Sequence, residues 1–410
     1  MRVELLNTGT ELLLGSVLNT HVRLFAEALF PLGLRIQRQV TVPDGPPIRE
    51  ALIDAAARGE IVLVTGGLGP TTDDVTREAV AEWLHLEMIR DDAVLAAIAA
   101  RFRRRDLAMT PRNARQADRP HAAVVLPNPH GTAPGLYLAP QPLDAGFSPH
   151  LFLLPGPPRE LQPMVSDHVV PTLRQIVPRR DDVQMRVLRL AGVGESWVEE
   201  QVGAALLALR LELGYCARPS EVDVRLIGSV NDVARGEAIV RGAFPGALVS
   251  ADERALEKVV VDLLAASQQT LATAESCTGG ALADRLTNVA GASRVFLGGF
   301  VTYANEAKTR DLAVDPSLLA AHGAVSEPVA EAMAEGARAR TGADFALSTT
   351  GIAGPGGGTD AKAVGTVFIA LAAAGGTRVE RHFFPSDRET FKTRVVHTAL
   401  DLLRRALPLA

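Results

Sequence analysis

Short runs of apolar and small residues, without charge, recur along this chain, each breaking into a turn of glycine or other small residues before helical periodicity resumes. Residues 61–64 run into TGGLGPTTDD, residues 271–274 into ESCTGG, and residues 345–349 into a loop holding Gly351, Gly354, Gly356, Gly357 and Gly358. A strand without polar alternation is buried on both faces, and a parallel sheet between helices provides that burial. The pattern therefore restricts the chain to an α/β architecture. Ligands of such sheets bind outside the carboxyl ends of the strands, so the turns are the places to look for function. With 410 residues, two or three domains are expected, each with its own core.

In the front half, residues 2–8 and 34–42 read as strands. The helix between them repeats Val22, Phe25, Ala26 and Leu29 at helical spacing and stops at Pro31 and Gly33. A second helix is expected over 46–58. In the stretch 65–80, Gly66, Gly67 and Gly69 let the backbone approach a ligand, Pro70 stiffens the turn, and Asp73 or Asp74 is placed to cap the next helix. Thr71 and Thr72 with the loop amides suit a phosphate, and Asp73 with Asp74 suits a divalent cation. An ordinary glycine turn explains the same residues equally well. Residues 150–164 form another apolar strand running into PGPPRE, which sets Pro155 and Gly156 at the same edge of the sheet.

From about residue 172 the pattern changes to two strand-then-helix segments, 183–207 and 221–244. Val222, Val224 and Leu226 alternate onto one face of a half-exposed strand. This reads as a small α+β connecting domain with a structural or dimerisation role, in which Cys216 is a buried small hydrophobe.

The back half carries the sharpest signal. Ser276 ends the strand 271–274 at a strand-to-helix turn, where helix-start N–H groups can receive an oxyanion. None of the three histidines beyond residue 250, His322, His382 and His397, stands in a motif that recommends it as a base. Lysine is rare: of 42 basic residues only Lys258, Lys308, Lys362 and Lys392 are lysines. Arginine does not release its proton, whereas a partly buried lysine does, so Lys308 is the candidate acceptor, with Tyr303 five residues earlier. The plainer alternative makes Ser276 a helix cap, Lys308 a solvated side chain and Tyr303 core filling.

AESCTGG, VTYANEAK and STTGIAGPGGG in this order resemble the C-terminal domain of the CinA family, the nicotinamide mononucleotide deamidases, over about residues 255–405. The resemblance implies a nucleophile, tyrosine and lysine at Ser276, Tyr303 and Lys308. It also implies substrate contacts from Cys277, Thr278, Gly279, Gly280, Thr350, Gly351, Gly354, Gly356 and Gly357, with Arg388 and Arg394 for the phosphate. GTELLLG, TGGLGPTTDD and PGPPRE resemble the molybdopterin-binding-like half of full-length family members, associated with metal-dependent hydrolysis of ADP-ribose to AMP and ribose 5-phosphate. That places a nucleotide site at Gly9, Thr10, Gly66, Gly67, Gly69, Thr71, Thr72, Pro155 and Gly156, and metal ligands at Glu11, Asp73 and Asp74. The expected organisation is a molybdopterin-binding-like parallel-sheet sandwich (1–171), the connecting domain (172–253) and an α/β deamidase domain (254–410). The expected cofactors are a divalent ion, with potassium as a further one, at the front site and none at the deamidase site. The expected assembly is a homodimer. The alternatives are a front half that only binds a pterin or nucleotide, or a competence-related interaction partner.

The net charge of −5 and the pI near 6.0 give no general attraction to nucleic acid or anionic membrane, and the RFRRR run at 101–105 reads as a coated helix face. Two cysteines are too few for a disulfide framework, and no Cys/His spacing suggests zinc. With a strand beginning almost at Met1 and no apolar run of membrane length, a cytoplasmic protein is expected.

Overall fold

The computed structural model describes residues 1–144, 146–178 and 183–408. The chain divides into two compact units, Met1–Asp181 and Asp182–Ala410.

The first unit is built on a six-stranded sheet in the order Ile36–Val42, Val3–Thr8, Ile61–Thr65, His150–Leu154, Gly135–Leu138, Val124–Leu126. The first four strands are parallel and the last two antiparallel, so the expected parallel sheet is mixed at one edge. The unbroken apolar run of the third strand has its explanation in two cores. Ile61 and Leu63 pack with Phe25, Phe152 and Leu161 on one face, while Val62 and Val64 pack with Leu52, Val80 and Leu153 on the other. The helix Val170–Ile176 puts Leu173 into the first of these cores, so this unit continues past residue 171.

The second unit holds two sheets. The four strands Glu212–Arg218, Glu221–Ser229, Val183–Ala191 and Leu248–Ser250 pair antiparallel throughout and are backed by helices Glu195–Leu207 and Val230–Ala243. Val222, Val224 and Leu226 share one buried face, as the alternation predicts. Cys216, by contrast, is exposed: Leu213 and Tyr215 of the edge strand Glu212–Arg218 pack on the core, and Cys216 alternates onto the other face.

The other sheet orders Phe296–Val301, Leu271–Glu275, Phe345–Gly351, Thr366–Ala373 and Gly376–Phe383, the first three parallel and the rest antiparallel. Its two faces differ in kind. Leu271, Leu347, Val367 and Ile369 meet Phe391, Val395 and Leu400 of the closing helix Arg388–Ala406. Ala272, Ala274, Ala346, Ala370 and Ala372 meet Ala330, Met333, Ala334 and Ala337 of the helix Glu327–Thr341. Small residues on both partners let that helix lie close enough for Ser348 Oγ to donate to the Ala330 carbonyl at 2.5 Å. Ser326 and Pro328 open the helix, as read from the sequence.

No helix among the described residues is long and apolar enough to cross a membrane.

Candidate functional site

Strand Leu271–Glu275 ends in the turn Ser276–Gly280, and the helix begins only at Ala281. Gly279 and Gly280 both take left-handed conformations, with φ of 62° and 96°, which a residue with a Cβ adopts at a cost. The helix-start amides expected to serve an oxyanion are already occupied. The Glu275 carboxylate accepts from Gly280 N–H at 3.0 Å, Leu282 N–H at 3.0 Å and Ala283 N–H at 2.8 Å. Glu275 is fully buried, and its charge answers the positive end of the helix dipole. The amides left for a ligand at Ser276 are those of Cys277 and Thr278, which have no acceptor among the described residues. The signal for Glu275 was present in the sequence as an acid directly before the Ser276–Gly280 turn.

Ser276 is half-buried, and Lys308 Nζ lies 3.1 Å from its Oγ. Lys308 comes from the next crossover, on helix Asn305–Leu312, is 0% exposed, and donates a second bond to the Thr302 carbonyl at 2.7 Å. Burial pushes the Lys308 ammonium below its ordinary value of 10.5. A neutral amine keeps one N–H on the Thr302 carbonyl and turns its lone pair to the serine hydroxyl, the arrangement of a base beside a nucleophile. Among the described residues Lys308 meets no carboxylate that would hold its proton in place.

Tyr303 does not join this contact. It is 60% exposed, and its hydroxyl accepts from Arg388 Nη2 at 2.8 Å, while Arg388 Nη1 donates to the Gly354 carbonyl at 2.9 Å. Arg388 thus ties the second sequence motif to the glycine loop of the third. Four residues on, and so on the same helix face, stands Lys392, which the sequence reading passed over. It is half-buried, has no ion pair among the described residues, and its Nζ would lie 3.8 Å from a Cβ at Gly279. Its rarity in an arginine-rich chain was the available signal. Arg394 lies about 240° around the helix from Arg388 and lines a different cavity, so it is not part of this site.

Several other expected contacts turn inward. Cys277 packs its side chain in the core at 5% exposure, and burial pushes its thiol up to about 12, so only its N–H is on offer. Thr278 Oγ1 bonds to Thr349 Oγ1 at 2.8 Å, and Thr350 Oγ1 donates to the Ala324 carbonyl at 2.7 Å. Gly351 ends its strand, and Gly354, Gly356 and Gly357 lie in the loop beyond it, the last two exposed.

In the first unit a cavity of about 560 Å³ lies at the carboxyl ends of the strands. Gly9, Glu11, Gly66, Gly67, Gly69, Thr71, Asp73, Asp74, Pro155 and Gly156 all line it, while Thr10 and Thr72 do not. The two glycine turns are joined, since Gly66 N–H donates to the Leu154 carbonyl at 2.9 Å. Gly67 has φ 66°, and a Cβ there would stand 2.0 Å from Thr76 Oγ1. Fully buried Arg77 props the loop from behind by donating to the carbonyls of Leu68 and Gly69, both at 3.2 Å. The expected aspartate cap is absent: helix Thr76–Trp83 has Val75 at its N-cap, and Asp74 instead accepts the Thr71 N–H at 2.9 Å. Hydrogen bonding from Thr71 holds the Asp73 carboxyl below its ordinary value. Thr10 N–H is taken by Asp44 at 2.9 Å. His21, unremarked in the sequence, donates from Nε2 to the Gly156 carbonyl at 2.8 Å, leaving Nδ1 to accept from Thr65 Oγ1 at 2.9 Å. Burial lowers its pKa, in keeping with a neutral ring.

Among the described residues no three His, Cys, Asp or Glu side chains are grouped as a metal ion requires. Glu11, Asp73 and Asp74 therefore do not by themselves form a cage, and Asp74 is already committed to Thr71.

The sequence matches three family descriptions: "Probable molybdopterin binding domain" over residues 4–175, "Damage-inducible protein CinA KH domain" over 185–243 and "CinA C-terminal domain" over 253–407. A CinA-like protein of Akkermansia muciniphila is 49% identical over 403 residues, covering 98% of this chain and 96% of that one. The chain belongs to the CinA family. A CinA-like protein of Gloeobacter violaceus is 42% identical, again over 98% of this chain and 96% of the relative. Among solved structures, a competence/damage inducible protein from Agrobacterium tumefaciens is 42% identical over 36% of this CinA-family chain and 91% of its own, with a TM-score of 0.35. The protein CinA from Thermoplasma acidophilum is 27% identical over 43% of this chain and 98% of its own, with a TM-score of 0.36.

Proposed function

We propose that the C-terminal domain hydrolyses the carboxamide of nicotinamide mononucleotide to the acid mononucleotide and ammonia. The observation that carries this reading is the 3.1 Å contact between Ser276 Oγ and a fully buried lysine amine. Neutral Lys308 takes the hydroxyl proton as Ser276 Oγ attacks the carboxamide carbon. The N–H groups of Cys277 and Thr278 meet the oxyanion, each donor worth about 3 kcal/mol in the transition state. The tetrahedral intermediate collapses as Lys308 passes its proton to the leaving nitrogen, and ammonia departs. Water, deprotonated by the same amine, cleaves the acyl-serine and restores the hydroxyl. Direct contact makes a Tyr303 relay unnecessary. Lys392 and Arg388 supply the positive charge for the substrate phosphate.

The cavity of the first unit, with its two glycine turns, supports a nucleoside diphosphate ligand and the metal-dependent hydrolysis of ADP-ribose; a divalent ion there would need ligand phosphate oxygens to complete its shell. The same reading carries a homodimer, measurable as a sedimenting mass of two chains.

Incubation with nicotinamide mononucleotide and with ADP-ribose, each with and without EDTA, tests both activities. Ammonia release unaffected by chelation and AMP release abolished by it are expected. No ammonia under any condition would refute the deamidase.

A further inference from the structure

Four of the six residues 13–18 are large apolar side chains left in water: Leu13 is 53% exposed, Leu14 75%, Val17 52% and Leu18 83%. Single exposed leucines are ordinary, but a contiguous run marks a surface that something covers. The segment does not need these side chains for its own shape. Polar bonds hold both ends: Thr10 N–H donates to Asp44 at 2.9 Å, Asn19 Nδ2 donates to Asn7 Oδ1 at 3.1 Å, and Asn19 Oδ1 accepts from His21 N–H at 3.0 Å. Between them, Ser16 N–H donates to the Glu11 carbonyl at 3.0 Å, and Gly15 turns the chain at φ 70°.

The four exposed residues divide into two pairs. Val17 and Leu18, with half-buried Leu12, line the cavity of about 560 Å³ in the first unit, whereas Leu13 and Leu14 do not. Leu68, the other leucine lining that cavity, belongs to the core behind it. The glycine turns at 66–69 and 155–156 open into the same space, and their backbone suits phosphate groups. A phosphate or a ribose gains nothing from an apolar wall, and a wholly apolar ligand would leave the glycine turns unused. A nucleotide answers both, because its base presents flat apolar faces and its phosphates meet the turns.

We propose that Val17 and Leu18 form the subsite for the aromatic base of a nucleoside diphosphate, a placement that rests on the nucleotide reading of this cavity. Neither side chain carries a donor or an acceptor, so the base is held through the area of its ring and not through its hydrogen-bonding edge.

Calorimetric titration of the full chain with ADP and with inorganic diphosphate, both with magnesium present, tests this. Leu18→Asn and Val17→Asn should each weaken ADP binding about tenfold and leave diphosphate unchanged, while Leu18→Met should match the wild type. Both positions are exposed, so these variants should keep the wild-type melting temperature. Leu14→Asn, which does not touch the cavity lining, should bind both ligands as the wild type does. In ADP-ribose hydrolysis the Leu18 and Val17 changes should raise KM and leave kcat alone, because the base contact is the same in ground and transition states. Unchanged ADP affinity in both asparagine variants would overturn the proposal. Equal weakening by Leu14→Asn together with a fall in sedimenting mass would also overturn it, by assigning the segment to contact with a second copy of the chain. AMP release with an unaltered KM in Leu18→Asn sinks the base subsite and leaves the hydrolase standing. ADP binding that depends on Leu18, without AMP release, keeps the subsite and sinks the hydrolase.

Discussion

An amine buried beside a hydroxyl has two measurable consequences at Lys308. Because burial lowers its pKa in the folded chain from the ordinary 10.5, the unfolded chain binds more protons between the lowered value and 10.5. Stability should therefore rise with pH across that window. Amide hydrolysis, which uses the neutral amine, should fall as pH drops through the lowered value. Lys308→Met should abolish ammonia release and flatten that rise in stability, measured by denaturant titration from pH 7 upward; an unchanged slope would place the titration elsewhere. The two thiols make a second prediction. Exposed Cys216 should react with a thiol reagent in the native protein, whereas Cys277, held as a neutral thiol in the core, should react only in denaturant. Labelling of Cys277 under native conditions would contradict the burial that excludes it as the nucleophile. The sequence reading buried Cys216 and offered Cys277 to the substrate, and the structure reverses both, because which way a strand or turn residue faces is invisible in its own sequence.

At the scale of elements, the Ser276 turn depends on a cap supplied from the strand before it. Glu275→Ala removes three charge-assisted bonds to buried or half-buried amides and should cost about 3 kcal/mol of stability, along with most of the activity, as the Ser276 turn loosens. Differential scanning calorimetry and ammonia release read the two effects, and a variant with the wild-type Tm would remove Glu275 from this role. The alanine-rich helix makes an opposite demand. A Cβ at Gly336 would stand 2.1 Å from the Leu312 carbonyl oxygen, so the helix Glu327–Thr341 approaches its neighbour only because that position has no side chain. Gly336→Ala gains about 1 kcal/mol in helix propensity but forces a backbone displacement, for a net loss of about 2 kcal/mol in unfolding free energy. These elements were legible in outline from apolar periodicity and turn residues. The start of the helix after Ser276 was not, since only the left-handed conformations of Gly279 and Gly280 show that it begins at Ala281.

Across the whole molecule, two units each place a cavity or a reactive contact at the carboxyl ends of sheet strands, with separate cores. Their chemistries should separate accordingly. Ser276→Ala should abolish ammonia release and leave AMP release from ADP-ribose within a factor of two, read side by side on one preparation. Coupled loss of both activities would tie the units into one centre. The amino-acid sequence by itself determined the strand and helix succession in outline and the placing of Ser276 at the tip of a strand. Those features follow from apolar runs and turn chemistry among near neighbours. Only the tertiary structure decided that an amine from residue 308 reaches that serine, that Glu275 takes the helix-start amides, and that Arg388 reaches Tyr303 and Gly354 while Arg394 lines a cavity elsewhere. Each depends on where a side chain points after distant segments have packed, and spacing along the chain does not encode that direction.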